Sequence, residues 1–168
     1  MPKPRQSIED KKQALIDGLV EARRSVLTAV QSLPANCADE IFLGSWSVKD
    51  LLAHLIGWDF TNLRAVQEIL AGQYPSFFQY FDKDWQSYNR QLVEQYRQES
   101  LAALLAAVDD SHRQWLTFLR SLSAEEIVHT KARRATGRTV SIRNLLLSEA
   151  GDELNHAQQV IAFRKQRA

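Results

Sequence analysis

Apolar residues recur along most of this chain at intervals of three and four, the spacing that gathers one face of an α-helix. Leu15, Leu19, Val26, Leu27 and Val30 form such a stripe in a helix expected from about Ser7 to Leu33, which Pro34 ends. After a connection over 34–46, Val48, Leu52, Leu55, Trp58, Val66 and Ile69 define a second helix, expected to run to about Ala71 and stop at Gly72. Ser47 can cap its free N–H groups, and Asp50 adds favourable charge in its first turn. Ser100 opens a third long helix over Leu101–Leu122, Ser123-Ala124-Glu125-Glu126 reads as a short capped turn, and Ser141 opens a last helix to about Lys165. Residues 128–140 form a basic linker with room for a short extended stretch. Four long amphipathic helices imply an all-α, antiparallel four-helix bundle. The whole chain, 1–168, reads as a single domain, a length that supports one core.

The segment Tyr74–Tyr88 breaks the pattern. It holds Tyr74, Phe77, Phe78, Tyr80, Phe81, Trp85 and Tyr88, seven of the 15 aromatics of the chain. We read it as a loop leading into one extra short helix, about Lys83–Gln98. It can pack across the open end of the bundle, roof a pocket for an apolar ligand, or do both.

The last helix departs from its own apolar arc. Ile142, Leu145, Leu146, Ala150, Leu154, Ala157, Val160, Ile161 and Phe163 define that arc, yet Glu149, Glu153 and His156 project within it and Asp152 lies on its edge. Carboxylates placed on a buried face are costly unless paired or bound to a metal. In the second helix His54 projects at the edge of the stripe, between Leu51 and Trp58. The i, i+4 spacing puts Asp152 and His156 on one face, so His54 from a neighbouring helix can join them as a third ligand to one ion, leaving an open position. The spacing alone leaves a second reading open, an internal salt-bridge network of Glu149, Glu153 and His156 with arginines such as Arg24 or Arg113.

Composition narrows the field. With 21 basic and 20 acidic residues the formal charge is +1, which argues against a protein living on phosphate contacts, so no nucleic-acid partner is expected. Apolar runs such as Leu145–Leu147 are too short to cross a bilayer, the N-terminus has no apolar signal core, and the one cysteine, Cys37, allows no internal disulfide. A cytoplasmic protein is the expectation. Cys37 has no histidine near it in sequence, His112 and His129 read as surface or loop residues, and Lys131, Arg133, Arg134 and Arg138 read as a solvated loop that could also meet the carboxylates of a cosubstrate. No phosphate-cradling glycine loop or nucleophile elbow is present.

The stretch Gly44-Ser45-Trp46-Ser47-Val48-Lys49-Asp50-Leu51-Leu52-Ala53-His54-Leu55-Ile56-Gly57-Trp58 resembles the second-helix motif of the DinB-like superfamily of metal-dependent enzymes, in which a tryptophan precedes a histidine ligand. Asp152-Glu153-Leu154-Asn155-His156-Ala157-Gln158-Gln159-Val160 resembles that family's last-helix frame of two ligands four residues apart and a glutamine three residues further on. Most members have histidine where Asp152 stands, and the mycothiol-dependent maleylpyruvate isomerase branch, with an acidic residue there, is more similar. Asp84-Trp85-Gln86-Ser87-Tyr88-Asn89 resembles a feature of the branch that contains colibactin self-resistance proteins. The resemblance implies a divalent ion, Zn²⁺ or Ni²⁺ first, on His54, Asp152 and His156. It also implies a low-molecular-weight thiol as cosubstrate, and Glu149, ahead of Glu153, as the carboxylate that handles a proton. Three functions follow: a hydrolase or thiol-dependent transferase acting on a small electrophile, a non-catalytic stress or self-resistance binder of a small molecule, or a structural helical protein working as a homodimer.

Overall fold

A computed structural model describes residues 6–98, 100–133 and 137–167, without the side chains of Ala35 and Phe81. In chain order the elements are α1 (Ile8–Gln31), a single 3₁₀ turn (Ala35–Cys37), β1 (Ile41–Leu43), β2 (Trp46–Ser47), α2 (Val48–Leu70), α3 (Phe78–Tyr96), α4 (Leu101–Ser121), α5 (Ala124–His129), β3 (Lys131–Arg133), β4 (Thr139–Ser141) and α6 (Ile142–Lys165). Every long helix except α3 begins at a serine whose hydroxyl accepts an N–H of the first turn, at Ser7, Ser47, Ser100 and Ser141. At Ser7 and Ser47 the aspartate three residues on returns the bond, so two orphan donors are met at once.

The four-helix bundle is formed by α1, α2, α4 and α6, with α1 packed along α6 and α2 packed along α4 and α3. One apolar cluster joins Leu15 and Leu19 of α1, Val66 and Ile69 of α2, Trp115 and Leu119 of α4, and Ile142 and Leu146 of α6. The other joins Val26 and Val30, Leu51 and Leu52, Leu104 and Val108, and Val160 and Phe163. The early halves of α1 and α6 therefore share one end of the bundle with the late halves of α2 and α4. Helices α1 and α6 run parallel to each other and antiparallel to the pair α2 and α4.

Two parallel neighbours in succession need a return crossing, and α3 supplies it. Its aromatic start lies by the end of α2, where the Glu68 carboxylate accepts from the Ser76 N–H, and its end reaches the start of α2, where Arg97 pairs with Asp50. Between them Gly57 lets α3 in close: a Cβ there would lie 2.7 Å from the Leu92 Cβ. The expected start of this helix at Lys83 falls beside a kink at Asp84 (φ −156°, ψ 80°), where the Asp84 carboxylate accepts the Ser87 N–H and caps the second segment. The first segment, over 78–83, was expected as loop.

The connection over 34–46 and the linker over 128–140, where a short extended stretch was expected, each contain an antiparallel hairpin. β1 pairs with β2 around Gly44 (φ +60°), and β3 pairs with β4 in the register Lys131↔Ser141, Ala132↔Val140 and Arg133↔Thr139. The strands β2 and β4 end on the very serines that cap α2 and α6, which fixes where those two helices start. Arg134 lies outside the described residues. Among the described residues no helix is long and apolar enough to cross a membrane.

Candidate metal centre

The hairpin-launched helices α2 and α6 bring His54, Asp152 and His156 together, with one potential ligand atom from each within 4.8 Å of the others. Donors each about 2.1 Å from a common ion are separated by at most about 4.2 Å, so sub-ångström adjustments suffice. Asp152 Oδ2 stands 3.3 Å from His156 Nε2 and 3.9 Å from His54 Nε2, and the two imidazole rings meet edge to face at 5.3 Å. His54, expected at the edge of its stripe, is 3% exposed and lies between the rings of Trp46 and Trp58. Asp152 keeps its side chain 58% exposed, so the group opens to solvent on that side.

Two buried ring nitrogens here, His54 Nδ1 and His156 Nε2, have no hydrogen-bond partner. The opposite nitrogen of His156 lies 2.8 Å from Gln159 Oε1. An amide oxygen can only accept, so Nδ1 carries the proton and a neutral ring turns the Nε2 lone pair toward Asp152. Burial lowers the His54 pKa and keeps that ring neutral, the form a metal ligand requires. Burial also pulls His156 down, but Asp152 and Gln159 outweigh it and its pKa lies above the ordinary value. Burial would raise Asp152, yet the two histidines hold it far below the usual carboxylate range. This is a place built for positive charge, which a proton or a cation can supply.

Deeper in the bundle, all four of its helices, α1, α2, α4 and α6, contribute to a second polar group. Arg23 of α1 donates from Nε and Nη2 to Glu153 of α6, at 3.0 and 2.6 Å, and from Nη1 and Nη2 to Asp59 of α2, at 3.1 and 2.9 Å. The Ser111 hydroxyl of α4 donates to Asp59 at 2.6 Å, and His112 Nδ1 lies 3.7 Å from the same carboxylate. The expected partners were Arg24 and Arg113, but those are exposed and pair locally with Glu21 and Asp110. His112, expected at the surface, is 9% exposed.

Glu149 accepts the Trp115 indole N–H at 3.1 Å through one oxygen, while its other oxygen is buried without a partner. Burial, reinforced by the charges of Asp59 and Glu153, raises its pKa well above the ordinary glutamate value. Stability contributed by the protonated carboxyl is complete below the unfolded-state pKa of about 4.5 and is lost as pH rises through the folded-state value. Glu149→Gln, which mimics the protonated form, should therefore gain stability on the wild type as pH rises from 4 to 9. Urea midpoints across that range check it, and an equally steep decline in the variant would place the titration on another group.

Two clefts meet at His54 and Asp152. One, of about 510 Å³, runs past Leu55, Trp58, Phe77, Phe78 and Leu145 to Glu149. The other, of about 720 Å³, runs past Ser45, Trp46, Gln86, Arg90 and Gln159. Of the aromatic segment, Phe77, Phe78 and Trp85 wall a cleft, while Tyr80 is exposed, and the side chain of Phe81 is outside the described set. Cys37 is buried in the connection between α1 and α2.

Sequence reasoning missed Arg23, Asp59, Ser111 and Trp115. A signal for them existed, since each sits in its helix at core-facing spacing between apolar residues.

The sequence profile of the DinB superfamily matches residues 19–160, and the chain belongs to that superfamily. No curated protein matches it by sequence. Among solved structures it is similar to YfiT from Bacillus subtilis, described as a probable metal-dependent hydrolase with an unusual four-helix bundle topology (TM-score 0.67, 16% identity, 99% of this chain and 93% of that one). It is similar also to the colibactin self-resistance protein ClbS in complex with double-stranded DNA (0.69, 17%, 92% and 95%). A third similar structure is a protein from Streptococcus pneumoniae (0.73, 15%, 98% and 94%). The ClbS complex corrects one expectation. Near-zero net charge does not exclude a nucleic-acid partner, because a protein of this fold is found on DNA, and local surface charge rather than the total governs phosphate contact.

Proposed function

We propose that the protein is a divalent-metal-dependent hydrolase or thiol-dependent transferase acting on a small electrophile, with His54, Asp152 and His156 as the ligands. The observation that carries this reading is the convergence of three potential ligand atoms, among them the buried Nε2 of His156 that has no hydrogen-bond partner, beside two clefts that share His54 and Asp152. Two imidazoles and a carboxylate suit Zn²⁺ or Ni²⁺ without selecting sharply between them. A divalent ion there would supply Lewis acidity, lowering the pKa of a water or thiol toward neutrality. The chain's own residues do the rest. Gln159 fixes the His156 tautomer, Trp58 and Phe77 exclude water from the apolar cleft, and Glu149 exchanges a proton through its unpartnered oxygen. The similar YfiT fold, described as a probable metal-dependent hydrolase, supports this reading. A cytoplasmic homodimer is the setting we propose, one in which the buried thiol of Cys37 stays reduced.

The test is a panel of small electrophiles offered with glutathione, bacillithiol, mycothiol or water alone, before and after chelation. Turnover should depend on the ion. Turnover unchanged by chelation, or absent across the panel with metal bound, would overturn the enzymatic reading. A second reading, a self-resistance binder of a small molecule or of DNA, is favoured by the likeness to ClbS. Retention of double-stranded DNA in a mobility shift, with no turnover, would establish it instead.

A further inference from the structure

The two clefts are separate in their far walls and common in their near ones. His54, Asp152, Trp85 and Asn89 border both. Asn89 is 6% exposed and held by the Trp58 indole N–H, which donates to its Oδ1 at 3.0 Å, so this part of the divide is rigid. Trp85, 54% exposed, stands on the second segment of α3 just past the kink at Asp84. Beyond the divide the chemistry differs. The first cleft is walled by Leu55, Trp58, Phe77, Phe78 and Leu145, surfaces suited to a flat apolar body. The second also has apolar walls, from Leu43, Trp46 and Val93, but adds Ser45, Gln86, Gln159, Arg97 and Arg90. Arg97 is committed to the buried carboxylate of Asp50. Arg90 lies near enough to Asp84 to lower that carboxyl, yet forms no hydrogen bond or ion pair with a described residue, and its five donors are available. Glu94, one turn beyond Arg90 on α3, and Asp152 also face this cleft, but neither forms an ion pair with Arg90, which leaves its guanidinium as the cation that an anion entering the cleft would meet.

We propose that the site holds two small molecules at once, one per cleft: a neutral, apolar, preferably aromatic reactant against the wall of Trp58, Phe77 and Trp85, and an acidic reactant whose carboxylate sits on Arg90. Their other ends meet at His54 and Asp152. Each cleft lies within the size range of small-molecule sites, so neither ligand needs the volume of the other. This deepens the enzymatic reading above and rests on it for the reaction, though the occupancy itself does not need turnover.

Calorimetry on the full chain tests it, with 2-naphthol as the apolar probe and succinate and glutathione as the acidic ones. Saturation with 2-naphthol should change the dissociation constants of succinate and glutathione by less than about twofold. Arg90→Glu, at an exposed position that leaves the core untouched, should weaken both acids by about tenfold or more, the loss expected for one charge-assisted hydrogen bond, and leave 2-naphthol binding unchanged. Mutual displacement of the probes would overturn the proposal, as would acid binding indifferent to Arg90→Glu. Co-binding in a protein without turnover would sink the enzymatic reading alone, and metal-dependent turnover with mutual displacement would sink this one alone.

Discussion

Arg23→Met is expected to destabilise the fold by about 3–5 kcal/mol, the usual cost of removing one partner from a buried ion pair. In a chain of this size that lowers the melting temperature by roughly 10 °C or more. The guanidinium satisfies Asp59 and Glu153 with four donated hydrogen bonds while being only 3% exposed itself. Burial would lower its pKa, but Glu153 and Asp59 outweigh that and keep it charged. Without it two carboxylates lie beside Glu149 with no compensating cation, and acidification should then recover part of the lost stability. Arg23→Lys should recover only part as well, since one ammonium cannot span both carboxylates in the forked geometry. Arg24→Ala, one residue along on an exposed side chain, should lie within about 0.5 kcal/mol of the wild type. Urea denaturation of the three variants decides it, and an Arg23→Met protein as stable as the wild type would mean the network adds nothing.

The one-residue difference between Arg23 and Arg24 shows what the sequence could and could not disclose. Helix positions were legible because apolar periodicity and capping serines agree, and Ser47, Ser100 and Ser141 cap where expected. The polar interior was legible in part, since Glu149, Glu153 and His156 interrupt an apolar arc and all three are buried. Its partner was not, because one step along a helix turns a side chain by about 100° and only the packed neighbours say which side is inside. The same effect misplaced Leu154 in the arc. Polar groups hold so much of the buried face of α6 that its apolar period is blurred, and Leu154 is 44% exposed. His112 could have been found, four residues after Val108 and three before Trp115 on a stripe otherwise buried. Helix direction was beyond local pattern. The parallel course of α2 and α4 depends on α3 acting as a return crossing, and a kinked aromatic segment does not announce that role.

His156→Ala should abolish tight binding of Zn²⁺ and Ni²⁺ and, with it, any ion-dependent turnover, while leaving the bundle folded. His156 contributes the unpartnered Nε2 nearest Asp152, and its loss leaves one imidazole and one largely exposed carboxylate, too few donors to retain a divalent ion. The fall in affinity should exceed the 10–100-fold typical of losing an outer partner, which is the smaller effect expected for Gln159→Leu, where the tautomer is freed but the ligand remains. Asp152→His should keep binding and alter the preference among ions, because it exchanges a hard oxygen for a third imidazole. Affinity should also fall with acidity, since a proton competes for the position between His156 and Asp152. Metal titration followed by calorimetry, with far-ultraviolet circular dichroism to show that each variant folds, separates these outcomes. A folded His156→Ala protein that bound Zn²⁺ as tightly as the wild type would remove His156 from the ligand set. The cluster would then be an ion pair, since a protonated His156 has the Asp152 carboxylate 3.3 Å away without any metal.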